Sequence, residues 1–325
     1  MTTPPQSGQE PDTHVPAEAL MTTFEAPEPD AEVAGNGGKE GYRRKPGQFK
    51  EIWRRFKKNK LAFVGLIVVA ILMVIAIINP FITPYDPTEQ NLANTNAAPD
   101  GAHWFGTDDL GRDLFSGILY GVKLALIVGW SVMLLSMLVG VALGAISGYR
   151  GSWVDSIIMR STDVVLAFPY LIGAILIVQV FGNGIITVIV ALVVLSWPTA
   201  ARLMRGSTLS LREAEYVEAA RSIGASDSRI VVRHILPNAI APTLIFSFSH
   251  IGVAIVAMAS LSFLGIGVPA DIPEWGNLIA DAVPYLKIDG KSHLWVFPSA
   301  AIVITTLAFA FVADGLRDSL DPKLR

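Results

Sequence analysis

Long apolar stretches alternate with short polar segments along most of the chain, and this pattern predicts an all-α membrane protein. A helix that spans a bilayer needs about 20 predominantly apolar residues. Six stretches meet or approach this length: 61–79, 124–148, 164–181, 185–201, 239–267 and 294–313. None of the six contains Asp, Glu, Lys or Arg. Only the tripeptide 182–184 separates the third stretch from the fourth, so these two are predicted to form a helical hairpin. The expected fold has six transmembrane helices.

Composition agrees with this class. The chain is 52% hydrophobic and 16% charged, with a mean hydropathy of +0.49, whereas soluble domains carry about 25% charged residues. It contains no cysteine, which excludes disulfides and cysteine-ligated metals. The five histidines are scattered without ligand spacing, so no metal site is expected.

The N-terminal segment differs from the rest. Residues 1–45 are rich in Pro and acidic residues, and the first basic residue is Lys39. A secretory signal would have a basic start and an apolar stretch. The segment is too polar to offset the entropy of ordering and is predicted to be a disordered tail. Residues 46–325 are predicted to form the membrane domain.

Basic residues set the predicted orientation. Of the 25 Lys and Arg residues, 21 lie in the segments before span one, between spans two and three, between spans four and five, and after span six. Only four lie on the other side: Arg112, Lys123, Lys287 and Lys291. The positive-inside rule therefore places both termini and the loop 202–238 in the cytoplasm. The segments 80–123 and 268–293 are predicted to be ordered extracytoplasmic loops.

The uncharged spans limit the chemistry. Ion-coupled transporters usually keep ionisable groups at membrane depth, and here only His250 could titrate there. A lone histidine is more typical of a packed, hydrogen-bonded residue, with a pore or substrate contact as the alternative. No catalytic constellation is present, and Gly290-Lys291-Ser292 lacks the glycine that a phosphate-binding loop needs at Tyr285. The chain is predicted to be no enzyme and to hold no nucleotide.

Glycines recur every four residues at Gly140, Gly144 and Gly148, and again at Gly117 and Gly121. In a membrane this spacing lets helix backbones approach closely. The partner helix lies either in the same chain or in another subunit, and the two alternatives stay equally open.

The polar segment 213–238 between the fourth and fifth stretches is the most informative feature. Residues 213–222 are mostly good helix formers, and Tyr216, Ala220 and Ile223 are spaced to form a small apolar face. Gly224 is expected to end or bend this helix, and Pro237 to separate the segment from span five. The segment is either a helix offered to a soluble partner or an ordinary solvated loop.

Several motifs resemble one family. Glu218-Ala219-Ala220, then Gly224 and Ile235-Leu236-Pro237, resemble the EAA signature of ABC importer permeases, although the family's usual isoleucine position holds His234 here. Other segments are similar to the C-type permease of dipeptide and oligopeptide importers: 103–121, 148–169, 196–206, 261–269 and 314–325. The resemblance covers roughly residues 50–325.

The resemblance implies a type I ABC importer permease fold in a bacterial inner membrane, in contact with lipid and without a nucleic-acid partner. It implies a homologous second permease, two cytoplasmic ATPases that bind ATP and Mg, and an extracytoplasmic solute-binding protein. No cofactor is expected on this chain. The cargo would be a dipeptide or oligopeptide, with nickel, haem or another small solute as alternatives. The coupling residues would be Tyr216, Glu218, Ala219, Ala220, Gly224, Ala225 and Pro237.

The outer segments carry a second candidate surface. Asp108, Asp109, Arg112 and Asp113 are predicted to be exposed charges that steer the docking of the binding protein, and Trp275 is a further docking candidate. The alternative is that these charges cap and orient an interfacial helix.

A six-span channel and a secondary transporter remain as other functions, and an exporter is disfavoured because its nucleotide domain usually lies on the same chain.

Overall fold

A computed structural model describes residues 48–320, with side chains from residue 51 onward. Within this range all regular structure is helical, as predicted. The predicted tail, residues 1–45, lies outside the described residues. Eleven α-helices follow one another in this described part of the chain: α1 Gln48–Phe56, α2 Lys60–Ile82, α3 Leu114–Arg150, α4 Ser152–Leu166, α5 Tyr170–Phe181, α6 Ile185–Arg212, α7 Glu215–Ser222, α8 Asp227–Ile230, α9 Leu236–Phe263, α10 Trp275–Ala282 and α11 His293–Leu320.

Five helical segments among the described residues are long and apolar enough to cross a membrane. They are α2, α3, α6, the continuous segment Asp227–Phe263 and α11. Two helices extend into predicted loops, because α3 begins at Leu114 and α6 runs on to Arg212. The loops 80–123 and 202–238 are therefore shorter than predicted.

The predicted third span, 164–181, is not one helix. It is divided between α4 and α5, which are bent by 89° relative to each other, and a sixth crossing exists only if this bent pair counts as one span. The break lies at 167–169. Pro169 has φ −58° and ψ 129°, and a proline disfavours helical backbone at the residue before it, here Phe168. Treating 164–181 as a continuous helix was wrong because it ignored this restriction.

The glycine repeat of α3 packs against α6 of the same chain. A methyl group on Gly144 would lie 2.8 Å from Cβ of Met204, and one on Gly148 would lie 2.8 Å from Cβ of Thr208. Gly140 faces Ala200 and Ala201 in the same way. These glycines therefore bring the two backbones into direct contact, which selects the same-chain alternative.

Buried apolar side chains form two clusters. The larger cluster fills the centre of the bundle and joins α2, α3, α5, α6, α9, α10 and α11. A smaller one, called the α7 cluster below, lies where α3 and α6 end: Ala145, Met204, Val217, Ala220, Ile230, Ile235 and Ala239. The short helix α7 therefore has its own apolar base.

At the opposite end of α3, the short helix α10 is held by two buried side chains. The indole Nε1 of Trp275 donates to the carbonyl of Ile118 over 3.1 Å, and the ring lies against Gly121, where a methyl group would not fit. The carboxylate of Glu274 caps α10 by accepting from the amide of Gly276 over 2.8 Å. This carboxyl is fully buried, and burial raises its pKa to about 7.

We expect Gly144→Ala to lower the stability of the bundle, because its methyl group would enter the contact with α6. Overpacking of this kind costs about 1–3 kcal/mol. Gly206→Ala is the matched control: it lies in α6 with no atom within 4 Å of the added methyl group, and it should gain about 0.5–1 kcal/mol. Thermal unfolding in detergent distinguishes the two. Equal midpoints would contradict the close contact.

We expect Glu274→Gln to change how stability depends on pH. The carboxyl has a pKa near 7 in the folded protein, above the ordinary value, so its stabilising protonated form is lost as the pH rises through 7. Relative to the variant, the wild type should lose on the order of 3 kcal/mol between about pH 5 and pH 8. Thermal unfolding across this range measures the difference. Parallel pH profiles for the two proteins would contradict the raised pKa.

Candidate functional site

Helix α7 is short and ends in a defined turn. Glu215, Glu218 and the two alanines at 219 and 220 favour a helix from Glu215 to Ser222. Gly224 then adopts φ +82°, a conformation that side chains disfavour. The amide of Gly224 donates to Arg221 O over 3.0 Å and the amide of Ala225 to Ala220 O over 3.1 Å. Both bonds belong to the Schellman termination of a helix, so the predicted role of Gly224 as a turn residue is confirmed by its backbone.

The two faces of α7 differ from the prediction. The buried face consists of Val217 and Ala220, the latter 6% exposed. Tyr216 is 42% exposed and Ile223 85% exposed. Grouping Tyr216, Ala220 and Ile223 on one apolar face was therefore wrong, because Ile223 lies at the helix end, in the turn.

The outward face of α7 carries three of the predicted coupling residues: Tyr216, Glu218 and Ala219 are all exposed. Two others lie beneath them, since Ala220 belongs to the α7 cluster and Ala225 packs against it. Exposed side chains are therefore presented on a buried apolar base, and Ala220 offers little surface to any partner.

The α7 cluster joins α7 to the ends of three long helices. Ala145 comes from α3, Met204 from α6 and Ala239 from α9. A hydrogen bond reinforces it, because the hydroxyl of Tyr149 donates to the carboxylate of Asp227 over 2.7 Å. These helix ends, with α7 and α8, are called the α7 unit below. Helix α7 is consequently packed against the ends of several long helices.

Pro237 does not separate the segment from span five. The helix is continuous from Asp227 to Phe263, and Pro237 lies exposed in the first turn of α9. A π-helical turn, Val231–Ile235, comes directly before it, and the amide of Leu236 donates to Val231 O. A proline clashes with the carbonyl four residues earlier in a regular helix, and the wider π turn changes that geometry. The prediction of a break was wrong for this reason.

Sequence reasoning missed two carboxylates that hold α4 against α6. Asp155 accepts two hydrogen bonds from Arg205, from Nε and Nη2, each 2.6 Å long. Asp163 accepts from Arg202 over 2.5 Å. The opposite charges of these arginines and aspartates are the sequence signal that could have predicted the pairing.

At the opposite end of the bundle, the predicted exposed charges are buried. Arg112 is 2% exposed, and its guanidinium contacts Asp108 over 2.5 Å and Asp281 over 3.2 Å. Asp113 caps α3 by accepting from Ser116 N over 2.7 Å. The prediction that Asp108, Arg112 and Asp113 are exposed was wrong, because they satisfy one another and the helix end. Trp275, the further docking candidate, is fully buried.

Two further carboxyls of this region are crowded. Burial, followed by the charge of Asp108, raises the pKa of Asp109. Burial, followed by the charge of Asp109, raises the pKa of Asp281 to about 6. Arg112 counteracts the rise at both carboxyls. The region is thus a folded polar network rather than a set of free surface charges.

His250 is a packed residue in α9. Its Nε2 lies 2.9 Å from the hydroxyl of Ser196 on α6, and its ring contacts Tyr170 and Phe246. The hydrogen-bonded alternative predicted for this histidine agrees with these contacts. Between residues 48 and 320, no three His, Cys, Asp or Glu side chains are grouped so as to hold a metal ion.

Two families match this sequence. Residues 140–325 match the family described as "Binding-protein-dependent transport system inner membrane component". Residues 47–99 match the "N-terminal TM domain of oligopeptide transport permease C". The first match alone covers more than half of the chain.

Curated relatives are similar over most of their length. A glutathione transport system permease protein of Pectobacterium atrosepticum is 43% identical over 85% of this chain and 92% of its own. An oligopeptide transport system permease protein of Bacillus subtilis is 40% identical over 92% and 97%. A dipeptide transport system permease protein of Alkalihalophilus pseudofirmus is 40% identical over 85% and 90%.

Among solved structures, a chain of an amino acid ABC transporter is 18% identical, with a TM-score of 0.46, and covers 62% of this chain and 92% of that chain. The assignment rests on the sequence matches, which include both the glycine repeat and the segment around α7. The chain belongs to the family of inner membrane components of binding-protein-dependent transport systems.

Proposed function

We propose that this chain is the permease subunit of an ATP-driven importer of short peptides, and that α7 couples it to an ATPase. The relatives are named for glutathione, dipeptide and oligopeptide transport, and all three solutes are short peptides. Membership of a binding-protein-dependent family disfavours the channel and the secondary transporter. The sequence identities to the three relatives are similar, so they favour no particular length of peptide.

One observation carries the coupling role. Helix α7 exposes Tyr216, Glu218 and Ala219, while Val217 and Ala220 anchor it in the α7 cluster. A solvated loop without function would have no reason to be fixed to the ends of three long helices. A partner that binds the outward face would therefore move these helix ends together.

The partners follow from the proposed orientation. The excess of basic residues would place the α7 end in the cytoplasm, where two ATPases would bind ATP and Mg. A homologous second permease would complete the pore, and a solute-binding protein would deliver peptide at the α10 end. Because the charges around Arg112 are buried, their part there would be to shape that surface, and docking would use other groups.

The mechanism would be mechanical. Closure of the ATPases on ATP would displace the face of α7 that carries Glu218. The α7 cluster and the bond between Tyr149 and Asp227 would pass this displacement to α3, α6 and α9. Movement of these helices would then switch the pore between inward and outward access. This chain would form part of the pore and transmit the movement, and the ATPase subunits would supply the energy.

Glu218→Lys should abolish uptake without preventing membrane insertion, because it reverses a charge on the exposed face of α7. Glu213→Lys makes the same charge change outside α7, at another exposed position, and should retain most activity. Uptake of radiolabelled dipeptide and peptide-stimulated ATP hydrolysis, both in the reconstituted complex, measure the effect. Normal stimulated hydrolysis in Glu218→Lys would contradict the coupling role.

Substitution by tryptophan at two adjacent alanines should separate docking from folding. Ala219 is exposed, so Ala219→Trp should block the partner and lower uptake while thermal stability stays the same. Ala220 is buried in the α7 cluster, so Ala220→Trp should also lower stability by about 1–3 kcal/mol. Uptake and thermal unfolding are measured on both variants. Full uptake with Ala219→Trp would show that this face binds no partner.

A further inference from the structure

We propose that Asp155 is a positioning residue that fastens α4 to the α7 unit, so that movement of α7 is delivered through α4 to the break at 167–169. This inference rests on the proposed coupling role of α7. It adds a second route into the membrane, besides the α7 cluster, which joins α7 to α3, α6 and α9.

Three hydrogen bonds converge on the carboxylate of Asp155. Two come from the guanidinium of Arg205 on α6, each 2.6 Å long, and one comes from the hydroxyl of Ser147 on α3 over 2.5 Å. A carboxylate held by a two-pronged guanidinium has a fixed direction as well as a favourable energy. The first turn of α4 is thereby fixed to α3 and α6, two of the three long helices whose ends belong to the α7 unit.

A second ion pair lies two turns further along α4. Asp163 contacts Arg202 over 2.5 Å, and Nε of Arg202 also donates to the hydroxyl of Thr162 over 3.3 Å. Both charged side chains are about half exposed, and pairs of this kind contribute little by themselves. Asp163 therefore adds little to the attachment of α4, and Asp155 provides the main attachment.

The two sides of the break are anchored differently. Helix α5 contributes Ala174 and Val178 to the large central cluster, whereas α4 contributes only Val165, which is partly buried and lies in its last turn. The rest of α4 is bound to the α7 unit through polar contacts. The break therefore lies where two separately anchored parts meet.

The backbone at this junction has the features of a hinge. The helices meet at 89°, and Pro169, the residue directly before α5, provides no side-chain cap. Hinges are a few residues between elements that absorb a change in backbone angles. If α4 follows the α7 unit and α5 stays with the central cluster, residues 167–169 must absorb the difference.

Spin-label distances test this arrangement directly. The chain has no cysteine, so introduced cysteines are the only labelled sites in this subunit, once its partner subunits are made free of cysteine as well. Ser222→Cys marks α7, Ser161→Cys marks α4 and Val180→Cys marks α5, all at exposed positions. Pairs of labels are measured in the complete importer, in vesicles, without nucleotide and with ATP and vanadate.

In the wild-type background, we expect a narrow distribution of distances between the labels on α4 and α7. Its mean should be the same without nucleotide and with ATP and vanadate. The distances from α5 to α4 and from α5 to α7 should change together. If α7 moves relative to α5 but α4 stays with α5, the inference is wrong while the coupling role stands. If α7 does not move relative to α5, the coupling role fails and the inference fails with it.

Asp155→Asn is the decisive variant. It should broaden the distribution of distances between the labels on α4 and α7 even without nucleotide. It should also lower the amount of peptide transported per ATP hydrolysed about tenfold. Asp155→Glu keeps the charge and should restore part of this ratio. Asp314→Asn, an exposed carboxylate on α11, is the matched control and should change neither. A merely structural loss would lower transport and hydrolysis equally, and that result, or an unchanged distance, would overturn the proposal.

Discussion

Direct contact between the backbones of α3 and α6 is the constraint on which the rest of the structure depends. Gly140, Gly144 and Gly148 leave no space for even a methyl group between the two helices. In lipid, where apolar surface gains nothing from leaving water, such close packing is a main source of helix association. It also brings Ser147 and Arg205 close enough to share Asp155. The α7 cluster and the position of α4 both follow from it.

Much of the fold could be predicted from hydropathy alone, because the lipid tolerates only helices whose backbone bonds are satisfied internally. Helix lengths were harder to predict. The ends of α3 and α6 contain enough polar residues to resemble loops, yet they continue as helices where they pack against neighbours. Proline was no reliable guide either: Pro169 ends a helix, whereas Pro198 lies within α6. Tertiary packing decides between these outcomes.

The candidate site was predictable in part. Gly224 carries a local signal, since only a residue that tolerates positive φ suits that helix end. The sequence carries no such signal for which face of α7 is buried, because a helix of eight residues has too few apolar positions to define an apolar face. The burial of Asp108, Arg112 and Asp113 was also beyond the sequence. It depends on Asp281, which comes from a distant segment and completes the network.

The π-helical turn at Val231–Ile235 changes the orientation of the side chains after it relative to those before it. Each residue of an α-helix advances the direction of the side chains by about 100°, and a π turn accommodates one extra residue. The side of α9 that carries His250 is therefore rotated, relative to a regular helix, with respect to the side on which Ile230 enters the α7 cluster. One unbroken 37-residue rod can thus serve two differently oriented packing environments, with the rotational offset between them fixed by a single widened turn.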